Sequence, residues 1–309
     1  MSESLAQFDL SPPNPPEPDF TALKQQIEAA WPVRERITPD AIGGTPNAIR
    51  QIIPMLDDGV LRVVERNERD PEAHHGWITH WWLKKAIILY GRLMPNQLMG
   101  DLPGDEDFQV VPGRGRYFDN WPLKFSNFTQ TCFEKARIRV TPPAMAQKGC
   151  YIAPGAVLNP CFAEIGAQIG EKSVLDDWST VGACAYVGAR VTVSKNAHVG
   201  GGLSPIEMFP AIVEDEAYIG SHCKVAAGVV VQRGAILVNQ VAIERATPIL
   251  DLSRGRVIRG LVPANAVVMN RINRKSGLVL PHIVSYRPEG AHPRDYINKL
   301  FERLGDDLM

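Results

Sequence analysis

The sequence has few of the features that mark secreted, membrane-bound or nucleic-acid-binding proteins. Its five cysteines are odd in number and lack CxxC spacing, which argues against a disulfide framework or a zinc knuckle. No apolar run approaches the roughly 18 to 20 residues of a membrane span, and no basic segment followed by an apolar one begins the chain. The 33 basic and 34 acidic residues give a formal net charge of -1, so electrostatic capture of nucleic acid is not expected. We therefore expect a cytoplasmic protein with no membrane or nucleic-acid partner.

The composition is that of a soluble globular protein. Of 309 residues, 45% are hydrophobic and 22% are charged, and the length allows about two domains. Prolines concentrate in SPPNPPEP (11–18). Because proline donates no backbone hydrogen bond, residues 1–19 are predicted to form a disordered or extended tail.

Helix and strand patterns follow the tail. A first helix is predicted from an N-cap at Asp19 to a stop at Pro32. A second is predicted from Thr45 to about Gly59, with a kink at Pro54. Two short strands and a third helix are predicted at 60–65, 77–81 and 82–93. This alternation predicts an α/β domain at the N-terminal end.

Aliphatic residues recur every six positions in the second half of the chain. Neither a helix nor a strand explains this period. The phase breaks at GGGLSPIEMFPA (200–211) and then resumes, and small residues stand four places after most anchors. The anchors are Val157, Ala163, Ile169, Leu175, Val181, Val187, Val193 and Val199, then Val213, Ile219, Val225, Val231, Leu237, Ile243 and Ile249.

Six-residue repeats are the sequence mark of a parallel β-helix. Each repeat supplies one short strand and a corner, three repeats make a triangular coil, and the anchors stack into a central column. Fifteen anchors predict about five coils. The fold class is therefore mainly β: an N-terminal α/β domain at 20–140, a β-helix at 141–260, and strands and a helix at 261–309. The last segment is expected to cap the open end of the β-helix.

Six segments inside and outside the repeat carry a family resemblance. They are ITPDAI (37–42), LDDGVLRVVE (56–65), WITHWWLKKAIIL (77–89), YFDNWPLKF (117–125), RVTPPAM (139–145) and LDDWSTVGACAYVG (175–188). In order, they resemble segments of the tetrahydrodipicolinate N-succinyltransferase family of the lysine and diaminopimelate pathway, from about residue 24 to residue 304. The resemblance implies a left-handed β-helix, a homotrimer, and transfer of an acyl group from a CoA thioester to the amine of an open-chain 2-amino-6-oxo dicarboxylic acid.

The resemblance also implies substrate-site residues. Arg139 occupies the position of an arginine that binds a substrate carboxylate, which suits its bidentate guanidinium; an ion pair at the domain junction is the alternative. Asp176 matches the family's active-site aspartate, which orients the amine and takes up its proton; a solvated corner is the alternative. Asp177 is the weaker candidate, and Trp178 is a further substrate-binding candidate.

The sequence departs from the family pattern in the region that handles the acyl donor and the amine. Lys224 in SHCKVAAG (221–228) stands where the family carries a catalytic glutamate, and Ala227 stands where it carries a second one. A cation cannot act as a general base unless its pKa is strongly lowered. We infer a divergent member whose base has moved to His198 or His222, or one whose Lys224 binds a substrate carboxylate.

Two segments are candidates for CoA binding. The loop that opens with three glycines lets backbone N–H groups approach a ligand, and is predicted to be a flap over the pantetheine arm. The basic run NRINRKSG (270–277) can meet phosphates; a solvated loop is the alternative. The candidate contacts are Gly200, Gly201, Gly202, Ala226, Arg274 and Lys275.

The sequence therefore predicts a trimeric CoA-dependent N-acyltransferase that uses succinyl-CoA or acetyl-CoA and no metal. The departures favour a specialised-metabolism member, of the kind found beside tabtoxin-type pathways. A non-catalytic CoA-binding protein or scaffold on the same fold is the alternative. A γ-type carbonic anhydrase needs a closely spaced pair of zinc-binding histidines, which His198, His222, His282 and His292 do not provide.

Overall fold

The computed structural model describes residues 19–99, 117–273 and 276–306. A helical layer leads into a column of two-residue strands, and longer antiparallel strands and a helix follow. The predicted tail, except Asp19, and the candidates Arg274 and Lys275 lie outside the described residues.

The N-terminal part follows the predicted alternation of helices and strands. The first helix ends at Ala30, two residues before the predicted stop at Pro32. A 3-10 helix follows, with Pro32 in its first turn, where the missing N–H is tolerated. Asp19 accepts a hydrogen bond from the Thr21 N–H at 2.9 Å. The elements are α1 (Thr21–Ala30), a 3-10 helix (Trp31–Arg36), α2 (Gly44–Asp57), β1 (Val64–Arg66), β2 (Trp77–Thr79), α3 (Trp81–Leu93), β3 (Gln97–Met99), β4 (Tyr117–Asp119) and α4 (Gln130–Ala136).

The helices pack on one side of the β-helix. Ile165 and Cys184, from two successive coils, belong to the same apolar cluster as residues of α1, α2 and α3. Asp57 at the end of α2 accepts the Gly149 N–H at 2.7 Å and forms a salt bridge with Lys124 at 2.8 Å. Apolar burial and one partly buried carboxylate thus join the two parts.

Two-residue strands repeat from residue 139 to residue 243. Strands three apart in sequence pair in parallel and form three faces. The first face holds β7 (Tyr151–Ile152), β10 (Gln168–Ile169), β13 (Tyr186–Val187), β16 (Ile212–Val213) and β19 (Val230–Val231). The second holds β5 (Arg139–Val140), β8 (Val157–Leu158), β11 (Val174–Leu175), β14 (Thr192–Val193), β17 (Tyr218–Ile219) and β20 (Ile236–Leu237). The third holds β6 (Met145–Ala146), β9 (Phe162–Ala163), β12 (Thr180–Val181), β15 (His198–Val199), β18 (Lys224–Val225) and β21 (Ala242–Ile243).

The predicted period and the coil number are confirmed. Strands β7 to β21 make five complete coils of a parallel β-helix. Every predicted anchor except Val157 is fully buried. At that place Leu158 is buried instead, because the corner 159–161 is one residue shorter than the corner 176–179 of the next coil.

The C-terminal segment extends the second face and covers it. The β25–β26 hairpin continues that face beyond β20, and α5 packs through Ile297 against Ile236 and Val267. Strands and a helix were predicted for this segment, and both are present. The elements are β22 (Ile249–Asp251), β23 (Arg256–Ile258), β24 (Leu261–Val262), β25 (Ala266–Ile272), β26 (Val279–Tyr286) and α5 (Pro293–Asp306).

Two expectations from composition concern thiols and membrane spans. All five cysteines are free, and burial raises the pKa of Cys150, Cys161, Cys184 and Cys223 to about 12. These four are small buried residues rather than reactive thiols. Across the described ranges, no helix is both long and apolar enough to cross a membrane.

Candidate active site

Most of the candidate residues lie at one edge of the β-helix. The chain turns from the second face to the third at stacked corners, which include 176–179, 194–197 and 220–223. Successive corners are linked by backbone hydrogen bonds, such as the one from the His222 N–H to the Lys195 carbonyl at 3.0 Å. On this edge, or on the faces beside it, lie Arg139, Asp176, Trp178, His198, His222 and Lys224.

Asp176 is held by the coil before it. Its Oδ1 accepts a hydrogen bond from Asn159 Nδ2 at 3.0 Å, and the Thr141 hydroxyl lies 3.5 Å from Asn159 Oδ1. The side chain is half-buried and forms no salt bridge with the residues that the structure describes. Asp176 is therefore an oriented carboxylate with capacity to bind a cation.

Asp177 has a different environment. It forms a salt bridge with Lys195 at 2.9 Å. The hydrogen bond to Asp177, together with the charges of Asp177 and then Asp176, raises the pKa of Lys195. Because Asp177 already has a cationic partner, Asp176 is the better candidate to meet a substrate ammonium.

Trp178 occupies the corner directly beside these carboxylates. Its backbone is left-handed, with φ of 61°, and its N–H donates to the Pro160 carbonyl. The side chain is 64% exposed. The corner thus presents a large aromatic surface that no described residue covers.

Arg139 lies on the second face, before the edge. It pairs in register with Val157, which pairs with Val174, so it is two strands or about 10 Å from the strand that leads to Asp176. The side chain is exposed and forms no salt bridge within the described ranges. The alternative of an ion pair at the domain junction therefore receives no support from these ranges.

His198 and Lys224 are neighbours on the outer surface of the third face. His198 pairs in register with Thr180 on one side and Lys224 on the other. Its Nδ1 lies 2.5 Å from the Thr180 hydroxyl. Partial loss of hydration lowers the pKa of His198, Lys224 lowers it further, and Glu164 opposes the shift. The imidazole is therefore oriented and held neutral near neutral pH.

Lys224 has one ionic partner. Its Nζ lies 2.9 Å from Glu244 Oε1, on the next coil of the third face, and both side chains are largely exposed. An exposed pair of this kind contributes about 0–1 kcal/mol, so it can be exchanged for a ligand carboxylate at little cost.

His222 is less well placed than His198. It lies at a corner with φ of 58° and an exposed side chain. Its ring forms no hydrogen bond with the described residues. Nothing in this part of the chain orients the ring as Thr180 orients His198.

The glycine loop has a packing role. A β-carbon on Gly201 would lie 2.4 Å from the Ala183 nitrogen, and one on Gly200 would lie 2.9 Å from the Ala227 nitrogen. Two of the predicted CoA glycines are thus needed for the close approach of coils. Their role toward CoA, like the predicted flap, stays a prediction.

Buried Lys84 anchors the same loop to the N-terminal part. Its side chain is fully buried in α3, and Nζ donates to the Glu207 carbonyl and lies 4.8 Å from the Trp81 ring centroid. Gly202 leaves room for it, since a β-carbon there would lie 2.9 Å from Nζ. Burial lowers the pKa of Lys84.

Sequence reasoning missed three residues of the site. Asn159 holds Asp176, Thr180 orients His198, and Glu244 pairs with Lys224. Each lies about one coil from its partner along the chain. A search for polar residues one coil away from each candidate would have found them.

Small residues run beside the Thr180–His198–Lys224 row. Gly182, Gly200 and Ala226 stand two positions after these side chains on successive coils. Gly182 and Gly200 are buried against the neighbouring coil, since a β-carbon on Gly182 would lie 2.3 Å from the Gly201 nitrogen, whereas Ala226 is half-buried. Within the described residues, no group of three or more His, Cys, Asp or Glu side chains could hold a metal ion.

Comparison with known proteins identifies the family. A profile described as "Tetrahydrodipicolinate N-succinyltransferase N-terminal" matches residues 22–93. A 2,3,4,5-tetrahydropyridine-2,6-dicarboxylate N-succinyltransferase of Paramagnetospirillum magneticum is 38% identical over 81% of this chain and 84% of its own length. Relatives with the same name from Sodalis glossinidius (38% identity) and Methylorubrum populi (37%) match over 81% of this chain and 85% and 84% of their own lengths. The chain belongs to the tetrahydrodipicolinate N-succinyltransferase family of acyltransferases.

Proposed function

We propose that the protein transfers an acyl group from acyl-CoA to the amine of a tetrahydrodipicolinate-like amino dicarboxylate such as 2-amino-6-oxopimelate. The observation that carries this proposal is the edge where Asp176, oriented and without a salt bridge in the described residues, lies next to the face that bears neutral His198. Family membership supports the reaction class.

His198 is the general base. When Nδ1–H donates to the Thr180 hydroxyl, Nε2 keeps its lone pair and can take up a proton. It removes a proton from the attacking amine and returns it to the departing thiolate, while a new C–N bond replaces the C–S bond. A base with a pKa near or below neutral suits this cycle at physiological pH.

Four other side chains bind and orient the amino dicarboxylate. Asp176 attracts the ammonium group before it is deprotonated. Arg139 binds one substrate carboxylate through the two parallel N–H groups of its guanidinium. Lys224 leaves its salt bridge with Glu244 and binds the other substrate carboxylate. Trp178 covers the carbon chain between the charged ends.

The strip of the third face beside His198 and Lys224 is the proposed path of a narrow, extended acyl carrier. Ala226, which is half-buried and stands two positions after Lys224, keeps side-chain bulk low there. Backbone N–H groups along such a strip can bind a carbonyl oxygen, and the acyl thioester supplies the activated carbonyl carbon. The loop at 200–211 closes over the carrier, and Arg274 and Lys275 meet its phosphates.

The active site is shared between subunits of a homotrimer of left-handed β-helices. Asp176 belongs to the second-face side of the corner, whereas His198 and Lys224 lie on the third face. Because two faces of a triangular coil point in different directions, one subunit directs these groups apart. Facing edges of two neighbouring subunits bring Asp176 of one toward His198 of the other.

The test supplies purified protein with 2-amino-6-oxopimelate and follows free-thiol release from succinyl-CoA and acetyl-CoA in parallel. We expect release from one donor, a loss of about 10²- to 10⁴-fold in Asp176→Asn, and a small effect in the matched variant Asp177→Asn. A preference for succinyl-CoA would identify the lysine-pathway reaction. A preference for acetyl-CoA would favour a specialised member such as a tabtoxin-pathway relative.

Three outcomes contradict parts of the proposal. Equal activity of Asp176→Asn and wild type would remove Asp176 from the site. Loss of activity in Asp177→Asn but not in Asp176→Asn would assign the role of Asp176 to Asp177. CoA binding without turnover of this or related amines would favour the non-catalytic alternative.

A subunit-mixing experiment tests the shared site. Asp176→Asn and His198→Gln chains are co-expressed and the mixed oligomers are assayed. Sites with both native residues arise only if the two groups come from different subunits. Recovered activity is therefore expected, and its absence in verified mixed trimers would place both residues in one subunit.

A further inference from the structure

A cavity lies on the second face, under the start of the C-terminal helix. Its volume is about 560 Å³. Its floor is formed by Val174, Thr192 and Tyr218, on three successive coils, and segment 287–293 forms its roof. It lies toward the first-face side, away from the corner that bears Asp176.

The cavity has more positive than negative side chains. Lys172, Arg190 and Arg287 line it, with Glu216 as the carboxylate among its lining residues. Lys172, Arg190 and Glu216 stack at consecutive corners, through hydrogen bonds such as that from the Arg190 N–H to the Glu171 carbonyl at 2.7 Å. Two cations and one anion of the lining thus follow one edge of the cavity, and Arg287 lies in its roof. Lys172 also forms an exposed salt bridge with Glu171 at 3.1 Å, which a bound anion can replace at little cost.

Glu216 does not neutralise the cavity. Its Oε1 accepts hydrogen bonds from Arg190 at 2.8 Å and from Arg233, outside the cavity, at 2.9 Å. These two guanidinium groups lower the pKa of Glu216, so it stays ionised and is shared between two cations. Arg190 is thereby oriented and keeps donors for another acceptor.

Arg287 is a buried cation that lines the cavity. It is only 5% exposed, and it donates to the Gly234 carbonyl at 3.1 Å, to Asn265 Oδ1 at 3.2 Å and to the Ala291 carbonyl. All three partners are neutral, and Arg287 forms no salt bridge with the described residues. The charge of Glu216 favours the charged form of Arg287 without a direct contact. An anion bound directly to Arg287 in the cavity would offset more of the cost of burying this cation.

We propose that this cavity binds a small organic dianion, a dicarboxylate or a phosphomonoester, between Arg190, Lys172 and Arg287. The guanidinium and ammonium groups suit either kind of anion. The apolar wall of Val174, Ala217 and Pro293 suits a short carbon skeleton rather than a bare inorganic ion. This binding site is separate from the acyl-transfer edge and does not depend on the proposed reaction.

The test measures binding of succinate and of glycerol 3-phosphate to the full-length protein by isothermal titration calorimetry at low salt. We expect one of them to bind and Arg190→Gln and Lys172→Gln each to weaken that binding about tenfold or more, since each removes a charge-assisted contact. The two ligands distinguish a carboxylate from a phosphate preference. Arg69→Gln removes an exposed arginine of the N-terminal part and serves as the charge control.

The same titration with Arg139→Gln separates this cavity from the acyl-transfer edge. Binding unchanged within about twofold in Arg69→Gln and Arg139→Gln would support the cavity. The proposal is wrong if neither dianion binds at up to about 10 mM, if Arg190→Gln binds as wild type does, or if Arg139→Gln alone abolishes binding. Circular dichroism of each variant confirms that the fold is retained.

Discussion

The interior of the β-helix and its outer edge are built from the same coils but follow different rules. Inside, one aliphatic side chain every six residues is fully buried from Ala163 to Val199 and again from Val213 to Ile249. Outside, Asp176, His198 and Lys224 follow no period and form their own polar contacts. Shape therefore depends on the interior and chemistry on the edge. A charge can change at Lys224 while the adjacent anchor Val225 remains.

The largest effect on stability is expected inside a coil. Ile219→Ala leaves a cavity in a close-packed column and should lower the free energy of unfolding by about 2–5 kcal/mol, with Ile219→Val costing about 0.5–1.5 kcal/mol. Denaturant unfolding measures both. Equal effects of the two variants would contradict close packing of the column, because removing more atoms should then cost more.

A smaller effect is expected where the interior meets the glycine loop. Gly201→Ala places a β-carbon 2.4 Å from the Ala183 nitrogen, so the backbone must shift, and we expect a loss of about 1–3 kcal/mol. Gly44→Ala is the control, because its nearest atom, Gln26 Oε1, is 3.9 Å away. A stable Gly201→Ala variant would show that the loop is not closely packed against the coil.

The pH dependence of activity tests the edge directly. Because partial loss of hydration and Lys224 lower the pKa of His198, kcat/KM should rise with pH through a midpoint below the usual histidine value of about 6.5 and level off near neutral pH. The sign for stability agrees, since the unfolded chain binds more protons below that value and folding weakens as pH falls there. An unchanged acidic limb in His198→Gln would assign the midpoint to another group.

The smallest effect on stability is expected for Lys224→Ala. An exposed salt bridge with Glu244 contributes little, so the free energy of unfolding should change by less than about 1 kcal/mol. The same variant should raise the acidic midpoint, because it removes a cation beside His198. It should also raise KM for the amino dicarboxylate. A marked loss of stability would make Lys224 a structural residue instead.

The sequence predicted the solenoid well because aliphatic residues recur at its six-residue period. Where the spacing departs from six residues, the predicted buried residue is wrong. Counting by sixes led to Val157, although the short corner 159–161 places Leu158 inside. The N-terminal helices were found from their apolar faces. The stop of α1 near Pro32 was predicted, but the 3-10 helix that contains Pro32 was not, because a proline that stops an α-helix is accommodated in the first turn of a 3-10 helix.

The site was only partly accessible from the sequence. Family likeness pointed to Arg139 and Asp176, but Asn159 and Thr180 act through contacts between coils, which require the register of the strands. The cavity under α5 could not be predicted from the sequence even with the strand register known. It exists because segment 287–293 crosses the second face, and no local pattern predicts where a terminal helix will pack.

The regular stacking of coils also fixes the distances between side chains along the axis of the β-helix. In the middle of the β-helix, residues one coil apart, such as Thr180 and His198, are 18 positions apart in sequence. Inserting one such coil between Asp176 and Lys224 would separate them by a further 4.8 Å or so and leave every inward side chain in place. The distance between two side chains on the edge therefore changes only by whole coils. A longer or shorter amino dicarboxylate can be matched by adding or deleting one coil.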